Sequence, residues 1–324
     1  MNMKKVGIVL ALLLLLTGCS SDDLGDYRKA IEKTQSIEKG RVNITVRTNI
    51  DFVTEGLTDI QIRDLSYFDE VEFDMNAQYD SSEETEKVIA KSYYNFGGMG
   101  FDTTFYMDGT NIYMKMPIIN GYMSFNPKDF DQESNSFIHE GSYETLLKPI
   151  IEKWNELLKQ EDVFKGNKTY LLTEEGQIKT TTYTIEASEE QLKLLGDEMV
   201  RVIKEEGVIE ALLQEGLKEQ ELEEVNEEEI LTAIEGYVSR LVLEGFQGIA
   251  YVDFDGRLIK EEYEIKLGWK DPKKGEPRSV EIFFSAENTN LGEDQVFDFP
   301  IIKEDEWIDM EDFEQQSIFP EDIF

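Results

Sequence analysis

Cysteine is almost missing from this sequence, in which Cys19 is the only one among 324 residues. A single thiol excludes an intramolecular disulfide framework and a metal site built from several thiolates. It also leaves no cysteine nucleophile downstream of that position. The fold must therefore be stabilised by its hydrophobic core, and a hydrophobic composition of 40% over this length is enough to form a large one.

Histidine is equally scarce, since His139 is the only one. Without a second histidine or another thiol, the chain cannot build a Cys-His pair or a site with several histidine ligands. A Ser-His-Asp triad could form only around His139, and no Gly-x-Ser-x-Gly segment precedes a predicted helix. We interpret His139 as an exposed loop residue. The many carboxylates single out no catalytic pair, so we predict no enzyme activity, metal or cofactor.

Positive charge is the third scarcity: 32 basic residues accompany 69 acidic ones, for a net charge of −37. This balance excludes a nucleic-acid partner, because phosphate neutralisation needs basic residues. It also excludes attachment to an anionic bilayer through a polybasic surface. The acidity predicts a soluble monomer, with weak and nonspecific cation binding as the alternative.

One apolar run near the N-terminus indicates where the protein is located. Lys4 and Lys5 precede a run of eleven residues, Val6–Leu16. The run is too short for a transmembrane helix, which needs about 20 residues, and is typical of a signal peptide. An uncleaved anchor with a chance cysteine is the alternative.

The residues Leu16, Thr17, Gly18 and Cys19 that close this run resemble the lipobox of bacterial lipoproteins. In a lipobox the cysteine is diacylated and becomes the new N-terminus. We therefore expect a signal peptide over residues 1–18, a diacylglycerol on Cys19 and a short tether over residues 19–25. The resemblance implies a protein anchored by lipid to the extracytoplasmic face of the cell membrane.

Alternation of apolar and polar residues predicts most of the β-strands. In the segment 42–52, the apolar or threonine residues alternate with Arg, Asn, Thr and Asp. One buried and one solvated face are typical of antiparallel sheets, and Asp108-Gly109 between two such segments predicts a hairpin. The other alternating segments are 71–79, 88–96, 105–107, 112–116, 122–125, 170–172, 183–187, 263–269 and 280–286.

Apolar residues at helical spacing predict helices at the N-terminus and in the centre of the chain. The predicted helices run from Asp26 to about Gly40, from Leu146 to Leu158, from Leu192 to Ile203 after a Ser188–Gln191 capping box, and over 207–243 with a break near Asn226. Because strands and helices form separate blocks, the pattern favours an α+β fold. We expect a single domain over residues 26–302 and an irregular acidic tail over residues 303–324.

The segment from Tyr251 to Glu262 partly matches an EF-hand calcium loop. Asp253, Asp255, Gly256 and Glu262 fall at positions three, five, six and twelve of the loop. However, Tyr251 occupies the first position, where an acid is required, and the flanking residues alternate as strands do. We interpret the segment as a β-hairpin.

Methionine and phenylalanine are concentrated between residues 105 and 125. Methionine packs adaptably against varied apolar partners, so this cluster is either ordinary sheet core or one wall of a cavity for acyl chains. If the cavity exists, we expect alternate strand positions and one helical stripe to line it. The predicted lining residues are Phe105, Met107, Met114 and Met116 on strands and Leu195 and Met199 on a helix.

The lipobox, the short first helix and the order of strands and helices resemble the LolA/LppX-like lipoproteins. The hairpins Tyr106–Pro117 and Tyr251–Gly256 are similar to segments of uncharacterised members, and the resemblance covers residues 26–300 as an order of elements. It implies a strongly curved antiparallel sheet, an open half-barrel, wrapped around amphipathic helices on its concave face. We predict that this sheet has nine to eleven strands. The central helical block is longer than expected for the family, and the acidic tail has no counterpart.

Two functional hypotheses follow from this resemblance and from the composition. In the first, the protein binds or carries a lipid or another apolar ligand while anchored to the membrane. In the second, it is an interaction or structural lipoprotein of the cell envelope, with a filled core and no small ligand. Both give the protein a membrane partner through its N-terminal diacylglycerol, and neither requires a cofactor.

Overall fold

A computed structural model describes residues 22–117, 121–124, 148–205, 227–303 and 306–308. The predicted lipobox with Cys19 lies outside the described residues, as do His139, residues 207–226 of the helix predicted over 207–243, and most of the acidic tail. All statements below refer to the described part of the chain.

Five α-helices, one short 3-10 helix (Gln160–Asp162) and twelve strands make up this part of the structure. The helices are α1 (Asp23–Gln35), α2 (Asp59–Ser66), α3 (Lys148–Leu157), α4 (Glu189–Glu205) and α5 (Glu227–Ser239). The strands are β1 (Lys39–Phe52), β2 (Glu70–Asp80), β3 (Lys87–Phe96), β4 (Met99–Asp108), β5 (Asn111–Lys115), β6 (Tyr122–Ser124), β7 (Val163–Thr173), β8 (Gly176–Ile185), β9 (Leu241–Asp253), β10 (Leu258–Trp269), β11 (Pro277–Thr289) and β12 (Trp307–Ile308). Among the helices described, none is long and apolar enough to cross a membrane.

The described strands form one open, mostly antiparallel sheet. Its order is β12-β6-β5-β4-β3-β2-β1-β11-β10-β9-β8-β7. Most strands lie beside their neighbours in sequence, and the pairing of β1 with β11 joins the N-terminal block of strands to the C-terminal block. The predicted α+β class and the large antiparallel sheet are confirmed.

The expected number of nine to eleven strands is too low, because the acidic tail contributes β12. This strand pairs with β6 and runs parallel to it. The Trp307 ring contacts the Tyr113 ring edge-on at 5.8 Å between centroids, and Ile308 packs against Met123. A strand of two residues is too short to produce a recognisable alternation, so the sequence pattern misses it.

Cross-strand register divides the sheet into an apolar and a polar face, because directly opposed residues lie on the same face. One row of opposed residues on the apolar face is Phe101, Tyr94, Phe73, Val46, Phe284 and Tyr263. The polar face carries Arg41, Asn43, Thr45, Arg47 and Asn49 of β1. The two faces predicted for β1 are thus confirmed.

The main core lies at one end of the apolar face, where α1 packs on β7 and β10. Its buried residues include Val163, Ile185 and Ala250, which are 1%, 0% and 0% exposed. Trp154 of α3 extends the core, with its ring 5.7 Å from that of Phe246 on β9. The main contacts of the described helices with the sheet are thus made at the β7–β10 end.

Several local predictions can be compared with the structure. The Ser188–Gln191 capping box is confirmed: the Ser188 backbone N–H donates to Gln191 Oε1 at 2.7 Å, and the Gln191 N–H donates to Ser188 Oγ at 3.2 Å. The Asp108-Gly109 hairpin is also confirmed, since Asp108 is paired with Asn111 across the turn. The predicted helix over 207–243 extends too far, because residues 241–243 begin β9 and pair with β10.

The segment between β11 and β12 crosses the polar face of the N-terminal strands. Lys39 Nζ lies 2.9 Å from Asp294 Oδ1, Arg41 Nε donates to Gln295 Oε1 at 3.1 Å, and Gln78 Nε2 donates to the Val296 carbonyl at 3.0 Å. The segment then leads to β12 beside β6. The C-terminal part of the chain is thereby attached to the N-terminal half of the sheet.

Candidate functional site

The strand residues predicted to line a cavity lie together on the apolar face. Phe105 is opposite Met114, and Met107 is opposite Ile112 in the β4–β5 pair. Met114 and Met116 pack with Ile112 and Ile308 around Met123, which is 4% exposed. The β4–β5 hairpin therefore presents one continuous apolar surface.

The helical residues predicted to face this surface belong to a helix that packs near β9. Leu195 and Met199 belong to α4, whose main contacts are with α3, α5 and β9. Between β4 and β9 there are six strand-to-strand steps, or roughly 30 Å along the sheet at about 4.8 Å per step. Met199 is 44% exposed. The lining role of the six residues therefore stays a prediction.

The β2–β5 half of the apolar face differs from the half under α1. Its small residues Ala77 and Ala90 are buried, but its large residues keep part of their surface exposed. These large residues are Val71, Phe73, Met75, Tyr94, Phe96, Phe101, Phe105, Met107 and Met114. Met99, at the start of β4, is 49% exposed.

Aromatic contacts connect the strands of this half. The Tyr94 ring lies 5.0 Å from the Phe73 ring and stacks on the Phe101 ring at 5.1 Å. These distances are typical of favourable aromatic pairs. This partly exposed surface is therefore a connected strip of rings and thioethers rather than a set of isolated apolar residues.

A carboxylate that sequence analysis missed lies on the same face, beneath α1. The Tyr27 hydroxyl donates to Glu261 Oε1 at 2.5 Å, and the Tyr263 hydroxyl donates to the same oxygen at 3.2 Å. The two hydroxyls are 3.1 Å apart. Tyr27 is 2% exposed, so this cluster connects the buried side of α1 to β10.

Burial dominates the electrostatics of this cluster. It raises the pKa of Glu261 above its ordinary value, although the hydrogen bonds from Tyr27 and Tyr263 act in the opposite direction. Burial likewise raises the pKa of Tyr27 and of Tyr263. Among the described ion pairs, none includes Glu261. The carboxylate is thus held by phenol hydroxyls and not by a basic side chain.

A cavity of about 340 Å³ opens beside Glu261, between α1 and the sheet. Its walls combine apolar side chains with hydroxyl and amide groups and contain no lysine or arginine. The lining residues are Ile31, Thr34, Gln35, Ile37, Tyr79, Ser81, Leu258, Glu261 and Asn288.

The alternation of apolar and polar residues along β10 could have indicated that Glu261 lies on the apolar face. Tyr263, Ile265 and Leu267 were recognised as one face of a strand, and Glu261 is the preceding position of the same alternation. A charged residue in an apolar register is unusual. In a chain with 69 acidic residues, however, a single glutamate at such a position does not stand out from the sequence alone.

The calcium-loop alternative for residues 251–262 does not fit the structure. Asp253 ends β9, and its side chain accepts hydrogen bonds from the Arg257 N–H at 2.8 Å and from Arg257 Nε at 2.7 Å. The hairpin interpretation is confirmed. In the described part of the chain, no group of three or more His, Cys, Asp or Glu side chains is arranged to hold a metal ion.

Comparison with known proteins finds solved structures with a low level of similarity, including the following two. The LolA superfamily protein NE2245 from Nitrosomonas europaea is 10% identical, with a TM-score of 0.21 over 86% of this chain and 95% of that chain. A DUF1329 family protein from Desulfovibrio piger is 10% identical, with a TM-score of 0.19 over 86% of this chain and 95% of that chain. No protein-family model and no curated protein matches the sequence.

Proposed function

We propose that this protein is a lipid-anchored extracytoplasmic lipoprotein that binds a lipid or another apolar ligand on the β2–β5 half of its apolar face. In this proposal the sheet curves around helices, and the ligand occupies the space between them. The observation that carries the proposal is the connected strip of large apolar residues that stay partly exposed on these strands.

The composition of the strip suits a flexible apolar ligand. Contiguous exposed apolar patches larger than a few hundred Å² are rare on soluble monomers and often mark binding sites. Each Å² removed from water contributes about 25 cal/mol, so an acyl chain over several rings would gain appreciable binding energy. Methionines such as Met107 and Met114 adapt to ligands of variable shape.

The start of α1 supports a position close to the membrane. Asp22 caps the helix, with its Oδ1 accepting from the Gly25 N–H at 3.0 Å. Only two residues, Ser20 and Ser21, lie between Cys19 and Asp22, so an extended tether would reach roughly 10 Å. A diacylglycerol on Cys19 would therefore hold the domain against the bilayer, where apolar ligands are available.

The substitution Met114→Glu tests the binding site in the mature chain (residues 19–324) purified without its lipid. We expect the variant to fold and to lose the uptake of an apolar fluorescent dye that the wild type takes up, because a carboxylate would lie in the ligand's place. Lys115→Glu, on the exposed polar face of the same strand, is the matched control and should leave uptake unchanged.

Native mass spectrometry of the same preparation distinguishes the second hypothesis, an envelope interaction or structural lipoprotein with a filled core. Copurifying mass of lipid size would support ligand binding. A clean apo mass, an absence of dye uptake by the wild type and unfolding of the Met114→Glu variant would together contradict the binding proposal and favour a filled core.

A further inference from the structure

We propose that the cavity beside Glu261 receives a positively charged ammonium group, and that the ligand of the apolar face is an amphiphile with such a head group. This inference rests on the proposed function and specifies the class of ligand. It follows from three features: an unmatched carboxylate, a cavity without basic residues and a row of opposed strand residues that leads from that cavity toward the apolar strip.

The first feature is the missing countercharge of Glu261. Both hydrogen bonds that Glu261 receives within the described residues, from Tyr27 and Tyr263, end on Oε1. Hydroxyl groups satisfy an oxygen but do not neutralise a charge. Carboxylates removed from water are normally paired with a cation or protonated. A ligand cation in the adjoining cavity would supply the missing partner.

The second feature is the chemistry of the cavity walls. Asn288 uses its Nδ2 to donate to the Leu258 carbonyl at 3.1 Å, which leaves its amide oxygen as an acceptor. Thr34 and Gln35 belong to the last turn of α1, the end of a helix that carries partial negative charge. The aromatic ring of Tyr79 adds a surface of the kind that attracts ammonium groups.

The third feature is the position of the cavity relative to the apolar strip. Tyr79 lines the cavity and lies opposite Val88, which in turn lies opposite Met107. The row therefore leads from the cavity across β3 to the methionine hairpin on β4 and β5. An amphiphile with its head at Glu261 could place its chain along this row, whereas an anionic head would be repelled by the carboxylate.

Isothermal titration calorimetry of the lipid-free mature chain tests the inference with three probes. The probes are dodecyltrimethylammonium, dodecyl maltoside and choline. The two dodecyl probes are used below their critical micelle concentrations. We expect dodecyltrimethylammonium to bind about tenfold more tightly than dodecyl maltoside, a difference of the size contributed by a charged contact. Choline, which lacks the chain, should bind much more weakly than dodecyltrimethylammonium.

The variant Glu261→Gln keeps an acceptor for Tyr27 and removes the charge, and should bind the two dodecyl probes equally. Glu262→Gln is the matched control, because Glu262 is the adjacent residue on the opposite face of β10, and should retain the preference. If Glu261→Gln fails to fold, Tyr79→Leu takes its place. It preserves apolar contact in the wall and should reduce the preference for the cationic probe.

Each other outcome contradicts a specific part of the proposal. Equal binding of both dodecyl probes by the wild type would overturn the ammonium site while leaving apolar binding intact. Choline binding as tight as that of dodecyltrimethylammonium would assign the cavity to a soluble amine and overturn the head-group assignment. Failure of every probe to bind would overturn both the inference and the proposed function.

Discussion

The hydroxyl of Tyr27 and the carboxylate of Glu261 form a hydrogen bond of 2.5 Å between residues separated by 234 positions in sequence. This contact joins the first helix to strand β10. Because Tyr27 is almost completely buried, the bond is made in surroundings where an unsatisfied partner would be costly. It thus fixes both the position of α1 and the orientation of the carboxylate.

Replacement of Tyr27 by phenylalanine should destabilise the protein. The variant retains the ring but removes one of the two hydroxyl groups that hydrogen-bond Glu261 Oε1. We expect the free energy of unfolding to fall by about 1–3 kcal/mol, the usual cost of leaving a buried polar group short of a partner. Urea denaturation near neutral pH measures this change.

Tyr251→Phe provides the control for that experiment. Tyr251 also contacts a carboxylate, with its hydroxyl 3.3 Å from Glu262 Oε2, but on the polar face of the sheet. Its loss should cost less than that of the Tyr27 hydroxyl because water can replace the contact. Equal effects of the two substitutions would contradict the special role of the buried pair.

The raised pKa of Glu261 predicts a particular pH dependence of stability. Between its pKa in the unfolded chain and its higher pKa in the folded chain, the folded state binds more protons. The contribution of Glu261 to stability is therefore fully present at low pH and is lost as pH rises through the folded pKa. Glu261→Gln stays neutral and removes this loss.

The measurement compares unfolding free energies of Glu261→Gln and wild type at several pH values. The difference should move in favour of the variant as pH rises above the ordinary pKa of a glutamate toward the raised pKa of Glu261 in the folded state. All groups that titrate equally in both proteins cancel in this difference. A difference that is constant with pH would show that Glu261 titrates normally.

Gly121 is predicted to be essential for the attachment of β12. A Cβ atom at this position would lie 2.6 Å from the Glu306 carbonyl oxygen and 2.8 Å from the Ile308 side chain. Gly121→Ala should therefore displace β12 from β6, and hydrogen exchange of residues 306–308 should accelerate. Gly236→Ala, where a Cβ would meet nothing within 4 Å, is expected to leave this exchange unchanged.

Substitution of Cys19 tests the proposed membrane anchor. Cys19→Ala removes the thiol to which the diacylglycerol would be attached, so the variant should remain unprocessed or be released from the membrane. Metabolic labelling with palmitate followed by membrane fractionation measures both effects. A variant that stays in the membrane fraction at its mature size would contradict the lipobox interpretation.

The alternating strands were largely predictable from sequence because each of their faces meets a different environment. Phe73 and Tyr94, for example, were assigned to apolar positions of two separate strands, and the structure places them opposite each other. The pairing of β1 with β11 was not predictable. Alternation specifies which side chains share a face, but it contains no information about which strand lies next to which.

The candidate site was less predictable than the fold. Phe105, Met107 and Met114 were recognised as one surface because alternate positions of neighbouring strands define it. The location of Leu195 relative to that surface depended on how α4 packs, which helical periodicity alone does not specify. Glu261 could be recognised only by combining its strand position with its burial beneath α1.

The seam between β1 and β11 has a consequence for how the chain folds. Arg41 is paired with Thr289 across this seam. One edge of β1 therefore stays unpaired until β11, almost 250 residues later in the chain, has been synthesised. Contacts between such distant segments close large loops and slow folding. A chain that emerges from its N-terminus would expose the β1 edge throughout synthesis, at a stage when unpaired strands readily associate with other chains. Protection of this edge, rather than formation of the early hairpins, is therefore the step at which folding of this protein is most vulnerable.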